Sequence, residues 1–266
     1  MISAWWYTKN GNNFGDIIAP VILEKIAGEA VKFSEEENSL CSIGSIAFFN
    51  FPNKMKFWGS GAIDETQRSS NIKKHTYYAV RGPNTRKRIL DNGGVCPEVY
   101  GDPGSLLPFL FPKQNLDLRN FSEVGIIPHW IDLQQVRNYN LERDKQIKII
   151  DIRQNYIDVI TDICSCEMLI TSSLHGLITG EAYDIPTVFV EFGKKVVGRT
   201  YKFKDYFNST NRDLVYCENQ SEKDIDFKKI EQTLQKMKKG NIDLKKFISS
   251  FPYEIKNKNL LEYISK

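Results

Sequence analysis

Short apolar runs alternate along most of the chain with longer segments whose apolar residues recur at helical spacing. Strands are predicted at Ala4–Thr8, Val31–Phe33, Leu40–Ile43, Lys56–Trp58, Thr76–Val80 and Val99–Tyr100. A helix is predicted over Ile17–Ala27 with Asp16 as its N-cap, and a shorter one over Asn84–Leu90 that stops at Asn92-Gly93-Gly94. Phe111-Pro112-Lys113-Gln114-Asn115 is broken by proline and reads as a linker. A second alternating set follows. Its strands are expected at Val124–Ile127, Lys148–Asp151, Met168–Thr171, Thr187–Val190 and Leu214–Tyr216, and its helices at Asp132–Asn138, Tyr156–Cys164 and Leu174–Tyr183. Ser221–Ile264 reads as helical with breaks at Gly240 and Pro252. Alternating elements imply parallel sheets covered by helices. The expectation is therefore an α/β protein with two Rossmann-like domains facing a cleft, residues 1–112 and 123–220, followed by a C-terminal helical extension, 221–266.

The 266 residues are 41% hydrophobic and 26% charged, a composition that excludes a disordered or collagenous chain. The longest apolar run, Ile43–Phe51, is short of a membrane span and contains Gly44 and Asn50. The first residues lack the basic and apolar regions of a secretory leader, so a cytoplasmic setting is expected. The five cysteines (41, 96, 164, 166 and 217) lack zinc-site spacing and read as reduced, mostly buried thiols. The net charge of +3 gathers in the tail, where residues 221–266 hold eleven Lys against seven Asp and Glu. Such a run is either a solvated helix face or a contact with an acidic membrane surface. No nucleic-acid-binding motif is present, and none is expected as a partner.

In parallel α/β sheets, ligands sit beyond the carboxyl ends of the strands. Five loops there are rich in Gly, Asn, Ser and ionisable groups. The first, Asn10–Asp16, places Asn12, Asn13, Gly15 and Asp16 at a helix start, either for sugar hydroxyls or as a turn and cap. Gly59-Ser60-Gly61 lacks a full dinucleotide fingerprint and either lines a ligand or only packs. Arg81 ends a strand and offers a guanidinium to a carboxylate or phosphate, unless it is spent in a surface ion pair. Asp102 binds a ligand or caps its turn. The sharpest loop is Ser172-Ser173-Leu174-His175-Gly176, where hydroxyls and free amides at a helix start form an anion site beside an imidazole that can give or take a proton. His129 follows another strand and is expected to face the same cleft or to pack beside Trp130. His75, in a Lys-Lys-His run, is expected at the surface.

Asn13-Phe14-Gly15-Asp16, Trp58-Gly59-Ser60-Gly61, Arg81-Gly82, Tyr100-Gly101-Asp102-Pro103, Ile127-Pro128-His129 and Ser172-Ser173-Leu174-His175-Gly176-Leu177 stand in the order seen in the polysaccharide pyruvyl transferases. Lys202-Phe203-Lys204-Asp205-Tyr206 is similar too, so the resemblance spans about residues 7 to 210. It implies a fold like the GT-B glycosyltransferases. It also implies transfer of pyruvate from phosphoenolpyruvate to two sugar hydroxyls, with a cyclic ketal as product and phosphate released. By the same resemblance Arg81 matches the phosphoenolpyruvate-binding arginine and His175 the catalytic histidine, and the 12–16 loop lies on the acceptor side. The expected acceptor is a sugar of a surface polysaccharide, with a polyprenyl-diphosphate-linked intermediate as the favoured form.

The residue chemistry agrees independently. A donor carrying nearly three negative charges needs cations and oriented N–H groups, which Arg81 and the helix start at Ser172-Ser173 can supply. Arg199, Lys202 and Lys204 either add phosphate contacts or are solvated. His175 as imidazolium can protonate the methylene carbon, and Asp16 or His129 is the candidate base for the hydroxyls. No Asp-x-Asp lies in a cleft loop, since Asp224-Ile-Asp226 is in the tail, so no metal or resident cofactor is expected. Two alternatives remain: a glycosyltransferase using a nucleotide sugar, with Glu181 on the ribose, and a non-catalytic glycan-binding module.

Overall fold

The computed structural model describes residues 1–9, 11–118, 120–141, 146–218 and 224–266. Asn10 of the first loop and Ser221 at the expected start of the tail helix lie outside the described residues.

The first half contains β1 (Ile2–Trp5), α1 (Phe14–Ala27), β2 (Val31–Phe33), β3 (Leu40–Cys41), β4 (Lys56–Trp58), β5 (Thr76–Ala79), α2 (Pro83–Asp91) and the short α3 (Leu107–Leu110). The second half contains β6 (Ser122–Ile127), α4 (Leu133–Arg137), β7 (Ile147–Ile149), α5 (Tyr156–Cys164), β8 (Cys166–Thr171), α6 (Leu174–Ala182), β9 (Thr187–Glu191), α7 (Arg199–Ser209) and β10 (Cys217–Glu218). The tail adds α8 (Phe227–Lys236), α9 (Leu244–Ser249) and α10 (Lys258–Ser265). No helix among the described residues is long and apolar enough to cross a membrane.

Two five-stranded sheets result, in the orders β2-β1-β3-β4-β5 and β10-β9-β8-β6-β7. All their pairings are parallel, consistent with two Rossmann-like halves. Within each half the order is the same, second-first-third-fourth-fifth strand. In a doubly wound sheet of this order the chain reverses its direction of winding between the first and third strands, and the crevice at that switch point is where ligands bind. The switch points here are β1/β3 and β6/β8.

The halves are joined by a shared core. One apolar cluster contains Ile18 and Ile22 of α1, Val159 and Ile163 of α5, Leu107 of α3 and Leu260 of α10. Phe14 N–H donates to the Ile152 carbonyl at 2.8 Å, tying the start of α1 to the second half. The tail returns to the first half. Phe247 stacks on Trp58 with ring centroids 4.4 Å apart. The indole Nε1 donates to the Phe247 carbonyl at 3.2 Å, and Lys256 N–H donates to the Ile26 carbonyl.

Several expectations shift. Val99–Tyr100 is no strand; only a single bridge joins Tyr100 to Val80. The last strand forms at Cys217–Glu218 rather than Leu214–Tyr216, where Cys217 can pair with Val190. The expected linker is packed: Phe111 is buried and its carbonyl accepts from Tyr183 Oη at 2.7 Å. All five cysteines are buried free thiols. His75 is not at the surface. Its ring sits among Phe51, Phe57 and Tyr77, and Nδ1 accepts from Met55 N–H at 3.1 Å. Burial, with Lys74 nearby, pushes it down to about 4.

Candidate functional site

At the β1/β3 switch point the loop after β1 enters α1. The cap is Asn13, not Asp16, which falls in the first helical turn, where a carboxylate suits the positive end of the helix. Asn13 makes no side-chain cap bond; its Nδ2 donates to Asp16 Oδ2 at 2.7 Å. Burial raises the Asp16 carboxyl above its ordinary range, against the opposing pull of the Asn13 hydrogen bond and the charges of His175 and Lys202. Asn12 is exposed and lines a separate surface groove with Gly11, Asp151, Arg153 and Gln154.

At the β6/β8 switch point β8 enters α6. Thr171 Oγ1 accepts from Ser173 N–H at 2.9 Å, and Ser173 caps the helix by accepting from Gly176 N–H at 3.3 Å. A Cβ on Gly176 would meet Thr171 Oγ1 at 2.7 Å, so the tight strand-to-helix turn excludes a side chain there. Leu174 points into the core, while His175 projects toward the first half. Its Nε2 lies 3.6 Å from Asp102 Oδ2, an ion-pair distance too long for a hydrogen bond. Neither atom has a hydrogen-bond partner among the described residues. Asp102 Oδ1 meanwhile accepts from Gly104 N–H at 2.9 Å, so this residue both caps its turn and faces the imidazole. On the other side of the ring, a Cβ at Gly15 would stand 2.0 Å from His175 Nδ1. Only glycine lets α1 and the imidazole approach this closely. The two switch points therefore meet at His175.

Lys202 of α7 is buried between them. Burial and the charge of Arg81 push its ammonium down to about 8, while Asp132 and Asp16 act in the opposite direction. Asp132 was not among the sequence candidates. Its carboxylate accepts from Ser172 Oγ at 2.7 Å, and burial raises its carboxyl. The same Ser172 Oγ accepts from His129 N–H at 2.8 Å. Only its position as a polar residue ahead of a short helix marked Asp132 in the sequence. Burial, then the Lys202 charge, push His129 down to about 3. Its Nδ1 accepts from Ile131 N–H at 3.3 Å, which assigns the ring proton to Nε2 in a neutral imidazole.

Arg81 departs from expectation. It is no open guanidinium and no surface ion pair. It is 1% exposed and paired with Asp205 of α7, its Nε donating to Oδ2 at 3.2 Å. Nη1 donates to Ser45 Oγ at 2.8 Å and Nη2 to the Ala62 carbonyl at 2.6 Å. The Gly59-Ser60-Gly61 turn is its cradle: a Cβ at Gly61 would overlap the guanidinium carbon at 2.2 Å. Ser60 Oγ is spent on the Gly44 carbonyl. Arg81 is thus a clamp between the halves, lying near Lys202.

Other candidates stand apart. Arg199 is half-exposed and bidentate on Glu191, and Lys204 is exposed. Glu181, toward the opposite end of α6 from His175, accepts two bonds from Arg212 and one from Tyr206 Oη, so it anchors its helix.

The family model described as polysaccharide pyruvyl transferase matches residues 43–192, more than half of the chain and most of these residues. The chain belongs to the polysaccharide pyruvyl transferase family. Within that match lie Arg81, Asp102, His129, Ser172 and His175; Asp16 and Lys202 fall outside it. Among curated proteins, the chain is similar to the uncharacterized protein L143 of Acanthamoeba polyphaga mimivirus, 34% identical over 62% of this chain and 58% of that one. It is also similar to the succinoglycan biosynthesis protein ExoV of Rhizobium meliloti (strain 1021), 27% identical over 52% of this chain and 41% of that one. The chain thus spans about half the length of the curated relatives it matches. No solved structure matches it.

Proposed function

We propose that the chain transfers the pyruvyl group of phosphoenolpyruvate to two hydroxyls of a sugar, forming a cyclic ketal, in the biosynthesis of a polysaccharide. Membership of the family and the likeness to a succinoglycan biosynthesis protein support the reaction class and its setting. The observation that carries the reading is the meeting of an imidazole, a carboxyl raised by burial and a buried ammonium where the two switch points touch.

In this reading Lys202 and the free N–H groups at the start of α6 hold the anionic donor. Each nitrogen of the Arg81 guanidinium already has a partner. We therefore assign Arg81 the positioning of α7 and a supporting positive field, and Lys202 the direct contact. His175 protonates the methylene carbon, and the adjacent carbon becomes oxocarbenium-like. In this arrangement Nε2 of the ring faces Asp102 and Nδ1 faces Gly15. One sugar hydroxyl adds to that carbon and gives its proton to Asp16. The carbon–oxygen bond to phosphate then breaks, the second hydroxyl adds in its place, and its proton leaves with the phosphate. A neutral His129 with its proton on Nε2 is a donor, which favours Asp16 as the base.

The proposed acceptor is a polyprenyl-diphosphate-linked sugar, and the proposed place is the cytoplasmic face of a membrane. The exposed Lys228, Lys229 and Lys236 of α8 support that placement. The test is a coupled phosphate-release assay with phosphoenolpyruvate against lipid-linked or aryl galactosides, glucosides and mannosamine derivatives. Phosphate release that requires both donor and acceptor, with no nucleotide present, is expected. Thermal stabilisation by uridine or cytidine nucleotides but not by phosphoenolpyruvate would transfer the reading to a nucleotide-sugar enzyme.

A further inference from the structure

A second concave surface lies at the carboxyl end of the first sheet, away from His175. Trp5 closes β1, Glu35 follows β2, Phe48–Pro52 follow β3, and Gln67 and Arg68 follow β4; together they line a groove of about 470 Å³. That volume falls within the ~300–1,000 Å³ range of small-molecule sites. Trp5 meets Phe51 edge-on at 4.9 Å and Phe49 at 5.8 Å, which fixes the rings as a rigid wall.

The segment after β3 links the groove to the candidate site along the chain. A Cβ on Gly44 would lie 3.9 Å from Asp16 Oδ1, and Ser45 holds Arg81. Within a few residues the same segment reaches Phe49 and Phe51. Among the polar side chains of the groove, Asn50 accepts from Ser70 N–H through Oδ1 at 3.3 Å. Gln67 Oε1 has no hydrogen-bond partner among the described residues. No hydrogen bond or ion pair among those residues engages the Arg68 guanidinium or the Glu35 carboxylate.

One acid and one base give the groove no net charge, which disfavours an anion. A hydrocarbon chain would cover the exposed Glu35 and Arg68 without giving them partners, at a desolvation cost each. A pyranose satisfies both demands. Its C–H face carries slight positive charge and stacks on the negative face of an aromatic ring. Its vicinal hydroxyls pair with planar guanidinium, amide and carboxylate groups. We propose that this groove binds a neutral pyranose unit of the acceptor glycan, a unit other than the one that receives the pyruvyl group. The assignment of that sugar as acceptor rests on the proposed reaction; the binding site does not.

The test measures binding of lactose, cellobiose and maltose to the wild-type chain, Trp5→Ala and Arg68→Ala by saturation-transfer NMR and calorimetry, with farnesyl phosphate as a competing lipid probe. At least one disaccharide is expected to bind the wild type at millimolar concentration. Affinity is expected to fall ten-fold or more in Trp5→Ala and at least three-fold in Arg68→Ala, whose exposed side chain leaves the melting temperature unchanged. No binding to the wild type at tens of millimolar, unchanged affinity in both variants, or displacement by farnesyl phosphate overturns the proposal. Phosphate release from phosphoenolpyruvate is followed in parallel. Sugar binding without turnover sinks the reaction and spares the groove; turnover on a short aryl glycoside without disaccharide binding does the reverse.

Discussion

The Arg81–Asp205 pair gives a sharp physical test of how the two halves are held together. The partners are 124 positions apart in sequence, and their side chains are 1% and 0% exposed. Replacing Arg81 by Met removes the charge but keeps much of the volume. Among the described residues it leaves a buried carboxylate that retains Thr85 alone, whose N–H and Oγ1 donate at 3.0 and 2.6 Å. Breaking a buried pair from one side costs about 3–5 kcal/mol, because the remaining charge stays desolvated and uncompensated. Against a total stability of about 5–15 kcal/mol, that is a large fraction. At about 2–4 °C per kcal/mol for a chain of this size, Arg81→Met should melt about 6–20 °C lower. Adding Asp205→Asn should recover part of the loss, since the amide no longer carries the buried charge. Equilibrium unfolding in urea and thermal melts of the two single variants and the double variant measure this. A loss below about 1 kcal/mol for Arg81→Met, or a fully additive double variant, would refute the clamp.

Three further outcomes follow from the site and the core. His175→Ala should lower turnover at least ~10²-fold, the low end for a general acid, while phosphoenolpyruvate still stabilises the protein in a thermal shift assay; near-normal turnover would remove His175 from the chemistry. Lys202 is held at about 8, so phosphoenolpyruvate affinity should fall as pH rises through 8, and Lys202→Met should bind weakly at every pH; titration calorimetry from pH 6 to 9 tests both. His75 is held at about 4 against an ordinary 6.5, so between those values the unfolded chain binds the proton and the folded one does not. Stability should therefore fall as pH drops through that window, by about 3 kcal/mol at pH 4, and His75→Gln should flatten the decline in urea titrations.

Much of the local architecture is legible in the chain itself. The segments β2, β4 and α5 are found at the boundaries their patterning predicts, because apolar spacing and flanking turn residues act over a few positions. The glycine-flanked loops are likewise readable as sites of close approach, and the ordered motifs point to the family. What each polar group touches is not local. The Lys-Lys-His run around His75 looks solvated until three rings from distant segments close over it. Arg81 looks like an open anion receptor until α7 delivers Asp205. Asp132 carries no motif and gains its role only when Ser172 arrives beside it. Gly15 is recognisable as permissive, but that its missing side chain makes room for His175 depends on how the two sheets pack. Patterning and turn chemistry act within a few residues and specify elements. Burial, pairing and the resulting shifts in charge arise between residues a hundred positions apart, and only the packed chain determines them.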